Sequence, residues 1–395
     1  MYYAGIDIAK RSHEVCLTNG RGEILGGASF NITNTLSGVQ KLLKTFDAHQ
    51  LTPDNCHVGM EATGHYWQVL YTWLTTAGYD VKVINPIVTN AYRRMNVRKA
   101  KTDRIDAELV AKAIRDGEYQ ETRMTNDALQ TLRQLCRHRQ ELVGTRSALK
   151  QKALVQLDTM FPEYERLFHD PFCKSSIKLL KTCCTPDEIG NMSTRELTNL
   201  LSQASRGYFG EEKAIQIKAA ARETIGIRIG VAGYVYRLQN YLEDIEYYDT
   251  KIGQAEAEIE QLMEQLDTHI TTIPGIGLVN GACIVAEIGD IDRFRSTKSL
   301  VAFAGLDPSV HESGEFQGTN SSVSKRGSPH LRHAIWQSAF VASHSDPQLS
   351  AFYQGLKARG KAHRVAVGAV ARKLCHLIYA VLSENRPYEV RHQHS

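Results

Sequence analysis

Cysteine is present but never in a pattern that binds metal or forms a scaffold. The eight cysteines, at 16, 56, 136, 173, 183, 184, 283 and 375, include no Cys-x-x-Cys pair and no regular histidine partner. A zinc site and a disulfide framework are therefore both set aside, and reduced thiols are expected. Walker-type phosphate loops are missing too. Gly5-Ile6-Asp7-Ile8 looks like the first phosphate loop of a sugar-kinase-like ATPase, but no second glycine-rich loop follows it, which removes that class. No apolar run approaches the ~18 residues of a membrane span. Met1-Tyr2-Tyr3-Ala4 lacks the charged and apolar regions of a signal peptide, so a soluble cytoplasmic protein without membrane partners is expected. Excess charge is also lacking, with a net of only +4 over 395 residues, so any polyanion partner must be sought in the distribution of charge.

That distribution is uneven. Arg93, Arg94, Arg98, Lys99, Lys101 and Arg104 crowd one segment, and Lys357, Arg359, Lys361, Arg364, Arg372 and Lys373 another. Lys325, Arg326 and Arg332 form a smaller group. Such blocks are often solvated faces; beside a phosphodiester site they read as contacts to a nucleic-acid backbone.

The stretch that organises the chain is Lys101-Thr102-Asp103-Arg104-Ile105-Asp106-Ala107, opening a run with helical apolar spacing over 107–115. Residues three apart on a helix share a face, so Asp103 and Asp106 converge. Adjacent carboxylates repel unless a cation sits between them, which suits a hard divalent metal. The plainer alternative is an N-cap that compensates the helix dipole. Two further acids end apolar strands: Asp7 on 2–8 and Glu61 on 57–61. In α/β sheets chemistry collects at the carboxyl ends of strands. Asp7, Glu61, Asp103 and Asp106 can thus form one cluster for two Mg²⁺ ions, roughly 4 Å apart, with Mn²⁺ as a substitute.

In order, strands are expected at 2–8, 14–18 and 24–32, a helix at 35–48, the Glu61 strand, a helix at 66–77 closed by Gly78, a strand at 80–84 stopped by Asn85-Pro86, and the acidic helix. This is an α/β domain over 1–124, a mixed sheet with helices on its faces. It resembles the ribonuclease-H-like (RuvC-like) fold of Holliday-junction resolvases.

Residues 125–268 read as helical. Leu135, Leu142 and Leu149 recur every seven residues, interrupted by Arg139 and Arg146. A cleaner series follows: Leu238, Ile245, Ile252, Ile259 and Leu266, with Tyr241, Tyr248, Ala255 and Leu262 between them. The pattern predicts a coiled coil, within the chain or between subunits, against the alternative of a plain core helix. Between the two runs, 162–229 is helical pieces broken by Pro171, Pro186 and Gly207. Residues 269–395 form a mainly helical third domain. Ile273-Pro274-Gly275-Ile276-Gly277 before the apolar run 279–288 looks like a helix-hairpin-helix turn, where Gly275 and Gly277 let backbone N–H groups reach a phosphate, or else a plain connecting turn. A helix at 294–305 is followed by a polar loop over 306–329 and by helices at 331–343 and 365–382. So long a polar loop in a helical domain points to function.

Taken together, Gly-Ile-Asp-Ile-Ala-Lys, Glu-Ala-Thr-Gly-His-Tyr, Ile-Asn-Pro, Lys-Thr-Asp-Arg-Ile-Asp-Ala, Ile-Pro-Gly-Ile-Gly, Phe-Ala-Gly-Leu-Asp-Pro and Glu-Ser-Gly, in that order, resemble the transposases of insertion-sequence family 110. The resemblance implies an acidic DEDD tetrad at Asp7, Glu61, Asp103 and Asp106. It also implies a serine nucleophile in a C-terminal transposase domain, within Val310-His311-Glu312-Ser313-Gly314, pointing to Ser313. It further implies a structured (bridge) RNA that pairs with donor and target double-stranded DNA, and tetrameric assembly in a bacterial, nucleoid-associated setting. A serine hydroxyl needs activation, and a phosphoserine link conserves phosphodiester energy for resealing. Because the serine lies far along the chain from the tetrad, composite active sites shared between protomers of a dimer or tetramer are expected. The rival functions are a metal-dependent structure-specific nuclease that uses water and a non-catalytic nucleic-acid scaffold.

Overall fold

The computed structural model describes residues 1–62, 64–95, 102–119, 126–308, 312–313, 316–317 and 323–390, without the side chains of 87, 95, 312–313 and 316–317. It comprises two compact units, Met1–Met124 and Thr125–Ser395.

In the first unit, β1 (Tyr2–Ile8), β2 (Ser12–Asn19) and β3 (Phe30–Thr33) precede α1 (Leu36–Ala48), β4 (Cys56–Glu61), α2 (Trp67–Thr76), β5 (Asp80–Ile84), α3 (Pro86–Met95) and α4 (Asp103–Arg115). The five strands form one mixed sheet in the order β3-β2-β1-β4-β5. β2 is antiparallel to β1 and β3, whereas β1, β4 and β5 run parallel. Consecutive residues of β1 and β4 are buried, as parallel strands covered on both faces require. Val39, Leu42, Phe46, Leu70 and Leu74 of α1 and α2 fill one core; Val110, Ala113 and Ile114 of α4 join Ile84 in another.

Two glycines let α4 lie directly on the sheet. Gly5 and Gly59 stand opposite each other on β1 and β4. A Cβ at Gly5 would lie 2.1 Å from the Ala107 carbonyl oxygen, and one at Gly59 2.8 Å from Ile114 Cγ2. Further along, Arg115 packs against Gly22, just past the strand end where Asn19 faces Tyr2. α4 therefore runs opposite to β1, with its first turn at the end where β1 and β4 stop.

Two expectations for this unit change. The strand expected at 24–32 is only Phe30–Thr33, because Gly26 and Gly27 adopt φ of +70° and +78° in a 3₁₀ turn over Leu25–Gly27. Pro86 both stops β5 and opens α3, a helix not anticipated; at a first helical position proline sacrifices no hydrogen bond.

The second unit begins with α5 (Asp127–Met160) and continues through α6 (Lys174–Thr182), α7 (Pro186–Asn191), α8 (Thr194–Ser205), α9 (Glu211–Glu223), α10 (Val231–Glu264), α11 (Leu278–Ile288) and α12 (Thr297–Phe303). The two-residue strands β6 (Glu312–Ser313) and β7 (Phe316–Gln317) follow, then α13 (Pro329–Ser345), α14 (Pro347–Ala358) and α15 (His363–Glu384). α5 and α10, each 34 residues, lie antiparallel. Arg139 pairs with Glu256 at 2.6 Å, and Arg146, seven residues on, pairs with Asp249, seven residues back. The arginines that interrupt the leucine pattern are thus the cross-helix ion pairs. Leu238, Ile245, Ile252 and Ile259 of α10 are buried in register.

The long pair joins two cores. Leu157 and Met160 of α5 with Leu238 and Ile245 of α10 pack against α6–α9 around Tyr164, which accounts for 162–229. Leu132 and Cys136 with Ile259 and Met263 pack against α11–α15. α15 corrects the expectation that no segment has the length of a membrane span: it is long and apolar enough, with mean hydropathy 1.6 over its best window. Half of that window is buried in the core, through Val367, Val370, Leu374 and Ile378 among others, so its apolarity is that of a central core helix. The helix expected at 294–305 is shortened to α12, which Ser296 caps, and α14 was not anticipated.

Candidate active site

The sheet places two acids side by side. Ile6 faces Met60 across the parallel β1–β4 pair, and the next residues are Asp7 and Glu61. Side chains alternate along a strand, so residues two beyond Gly5 and Gly59 return to the face that α4 covers. Both acids thus point to the side where α4 begins, and both are half-buried.

The first turn of α4 brings the other two. Thr102 caps the helix, its hydroxyl accepting from Ile105 N–H at 3.3 Å, so neither acid serves as the N-cap. Asp106 is buried at 5% exposure, whereas Asp103, one turn earlier, is exposed. α3 ties this turn to the strand end: Thr89 donates to Glu61 Oε2 at 2.8 Å, and Arg93 Nη2 and Nε donate to Asp106 Oδ1 at 2.7 and 3.2 Å. Thr89 and Arg93 are four residues apart on one helical face, so the same side of α3 holds both Glu61 and Asp106. Sequence reasoning missed Thr89 because it missed α3; the spacing of Pro86, Thr89 and Arg93 was the available signal.

Four carboxylates are hard-oxygen donors of the kind Mg²⁺ or Mn²⁺ selects. Among the described residues no three His, Cys, Asp or Glu side chains are close enough to enclose an ion, and Arg93 supplies the positive charge at Asp106. The donor set fits such an ion in kind, but not in placement as the side chains stand, with Arg93 holding Asp106 where a cation would bind. Arg93, expected as a phosphate contact, is engaged here by Asp106. Arg94 and Arg104 are exposed; Arg98, Lys99 and Lys101 lie outside the described residues.

The expected serine lies, along the chain, between the two sides of a narrow neck. Ser313 on β6 faces Phe316 on β7; its side chain lies outside the described atoms. Beneath this hairpin the two ends of the loop zip together: Pro308 bridges Val323, Ser324 N–H donates to Asp307 O at 2.8 Å, and Lys325 N–H to Gly305 O at 3.2 Å. A Cβ at Gly327 would lie 1.8 Å from Phe303 O, so the strands of the neck can cross only at glycine. Ser328 closes the neck by capping α13 and donating to Glu287 at 2.9 Å.

Glu287, which sequence reasoning did not single out, is buried on α11 and held by Arg137 at 2.6 and 3.0 Å. Burial pushes its carboxyl up, but the Arg137 hydrogen bond and charge, helped by Ser328 and Arg133, hold it below the usual carboxylate range. Arg332 donates to Ala304 O at 3.3 Å, while Lys325 and Arg326 are exposed.

The two hairpin glycines diverge. Gly275 has φ of +92°, and a Cβ there would lie 2.5 Å from Ala342 N, so it serves turn geometry and packing against α13. Gly277, at the start of α11, opens to space with nothing within 4 Å of a Cβ position.

Comparison with known sequences gives the family. Residues 4–162 match the IS110 DEDD family model, described as Transposase, and residues 267–354 match that of the Transposase IS116/IS110/IS902 family. The chain belongs to the IS110 family of transposases. It is similar to the pilin gene-inverting protein of Moraxella bovis, 26% identical with 98% of both chains covered. It is also similar to the transposase for insertion sequence element IS1328 of Yersinia enterocolitica, 27% identical over 96% of both. A 44.8 kDa protein of insertion element IS116 from Streptomyces clavuligerus is 24% identical over 97% of this chain and 95% of its own. The first IS110 match contains all four acids; the second contains the hairpin glycines, the neck and Ser313.

Proposed function

We propose that this IS110-family chain cuts and rejoins double-stranded DNA through a phosphoserine link, with Asp7, Glu61, Asp103 and Asp106 as a RuvC-like metal-binding tetrad and Ser313 as nucleophile. The carrying observation is the gathering of strand-end acids and the first turn of α4 at one end of the sheet, with Thr89 and Arg93 reading Glu61 and Asp106 from one face. The sheet order β3-β2-β1-β4-β5, with one antiparallel hairpin beside parallel strands, supports the ribonuclease-H-like comparison. Bound Mg²⁺ or Mn²⁺ would supply charge stabilisation for the attacked phosphate and the departing oxygen. The Ser313 oxygen loses its proton and bonds to phosphorus as the P–O bond to the DNA strand breaks, and the released DNA oxygen takes a proton. Reversal by another DNA end reseals the strand without loss of phosphodiester energy.

The test is incubation with the element's ends and target under Mg²⁺, followed by denaturation. Protein covalently attached to a DNA end, lost in Ser313→Ala, is the expected result. Cut DNA without attached protein would make the chain a water-using nuclease. Composite sites between protomers predict that mixing Ser313→Ala with Asp106→Asn chains restores joining; continued inactivity of a mixed assembly excludes them. The bridge RNA rests on family resemblance, and its test is redirection of joining when the pairing segment of a supplied RNA is changed.

A further inference from the structure

The segment 347–383 contains no Asp or Glu at all, but six cations: Lys357, Arg359, Lys361, Arg364, Arg372 and Lys373. Since the whole chain nets only +4, the remainder is net negative and this segment is a true local concentration of charge. It forms α14, the turn after it and most of α15, and most of it lies beyond the second family-matched segment, which ends at residue 354.

None of the six makes an ion pair among the described residues. Lys357 donates to Lys361 O and Arg359 to Gly355 O, while Lys373 lies over the Phe352 ring at 4.2 Å. Lys357, Arg359, Lys361 and Arg364 are all exposed around the α14–α15 corner. No acidic residue occupies the first turn of α15 to offset them. Elsewhere in this unit cations such as Lys181 are paired, there with Glu246, so a cluster of bare charge marks this corner.

Beside the corner lies an apolar shelf. The Phe340 ring stands 5.7 Å from that of His363, and Phe340, Val341 and Val365 are 48%, 50% and 55% exposed. Nearby, His363 Nδ1 is bonded to the Tyr353 hydroxyl at 2.7 Å and His344 Nδ1 to Ser343 and the Phe340 carbonyl at 3.0 Å. An apolar shelf rimmed by unpaired cations suits phosphates flanking deoxyribose.

We propose that the α14–α15 corner is a sequence-independent docking surface for the phosphate backbone of duplex DNA, centred on Lys357, Arg359, Lys361 and Arg364. It rests on the proposed DNA-joining function but plays no part in the chemistry, so it should act on binding without touching the tetrad or Ser313.

The experiment uses the full chain carrying Ser313→Ala, so that binding is read without reaction, with and without Lys357→Gln, Arg359→Gln, Lys361→Gln and Arg364→Gln together. Affinity for a random-sequence 30-base-pair DNA duplex, a matching RNA duplex and a single strand is measured over a salt series, with thermal unfolding as the folding control. The expected result is duplex-DNA binding weakened at least tenfold, with the log–log salt slope reduced by about 0.9 for each phosphate no longer neutralised. An unchanged affinity and slope in a folded variant overturns the surface. A loss confined to RNA or to single strands overturns its assignment to duplex DNA. If the unsubstituted chain binds no duplex at all, the DNA-joining function fails first. If the four substitutions disturb folding, Lys361→Glu and Arg364→Glu singly are read in the same way, each expected to lower the slope and each overturning the proposal if it leaves the slope unchanged.

Discussion

Each unit buries one carboxylate against one arginine, and the two pairs are built differently. Asp106 meets Arg93 through a single oxygen, from a helix that precedes residues 96–101. Glu287 is gripped through both oxygens by Arg137 and receives Ser328 as well, in the middle of a helical core. The first is a pair that an incoming cation can replace, because one partner oxygen carries both bonds. The second is a clamp, whose separation would strand a buried charge. Two buried carboxylate–arginine pairs thus differ in the number of oxygens engaged and in what else reaches them.

The largest expected effect falls on the Asp106 side. Asp106→Asn should abolish DNA cutting while the chain remains folded, scored by strand breakage beside a thermal melt; retained cutting would remove Asp106 from the chemistry. Arg93→Ala should lower the Mn²⁺ concentration needed to raise the melting temperature, because the competing cation is gone, while Arg137→Ala should leave that titration unmoved. Glu287→Ala should cost about 3–5 kcal/mol of unfolding free energy in denaturant titration, the cost of leaving Arg137 without its partner.

Two glycines sharpen the contrast further. Gly5→Ala sets a Cβ against α4 backbone and should cost about 1–3 kcal/mol, with cutting reduced as the first turn of α4 shifts. Gly277→Ala, in open space at φ of −79°, should stay within about 0.5 kcal/mol of the parent.

Acid should weaken the Glu287 clamp. The folded pKa of Glu287 lies below its unfolded value, so its stabilisation is present above the ordinary carboxylate pKa, ~4.3, and fades as pH falls through the lower folded value. Unfolding free energy should therefore drop more steeply below pH 4.5 in the parent than in Glu287→Gln, by denaturant titration at stepped pH. A small effect is likewise expected of Arg139 with Glu256: a double-mutant cycle should give about 0.3–1 kcal/mol, diminishing with added salt.

How much was legible depended on range. Asp7 and Glu61 could be read because each ends a short apolar strand, and Asp103 and Asp106 because helical spacing is local. The α10 series was equally plain, since Leu238, Ile245, Ile252 and Ile259, four of its five seven-apart positions, are buried. Arg139 and Arg146, by contrast, looked like flaws in a seam until Glu256 and Asp249 supplied their partners. α3 and α14 were missed because each opens at a proline, which reads as a stop when it follows a strand or helix and as a start only when the next turn is seen.

The sequence by itself determined the strand ends and helix faces that carry the acids, the seven-residue rows of the long helices and the ordered motifs that mark the family, because each depends on neighbours a few residues away. Only the tertiary structure decided that Gly5 and Gly59 seat α4 on the sheet, that Arg93 answers to Asp106, and that Glu287 anchors the neck of the serine hairpin. Those pairings join residues distant in the chain, and burial and charge neutralisation select them only once the chain has closed on itself.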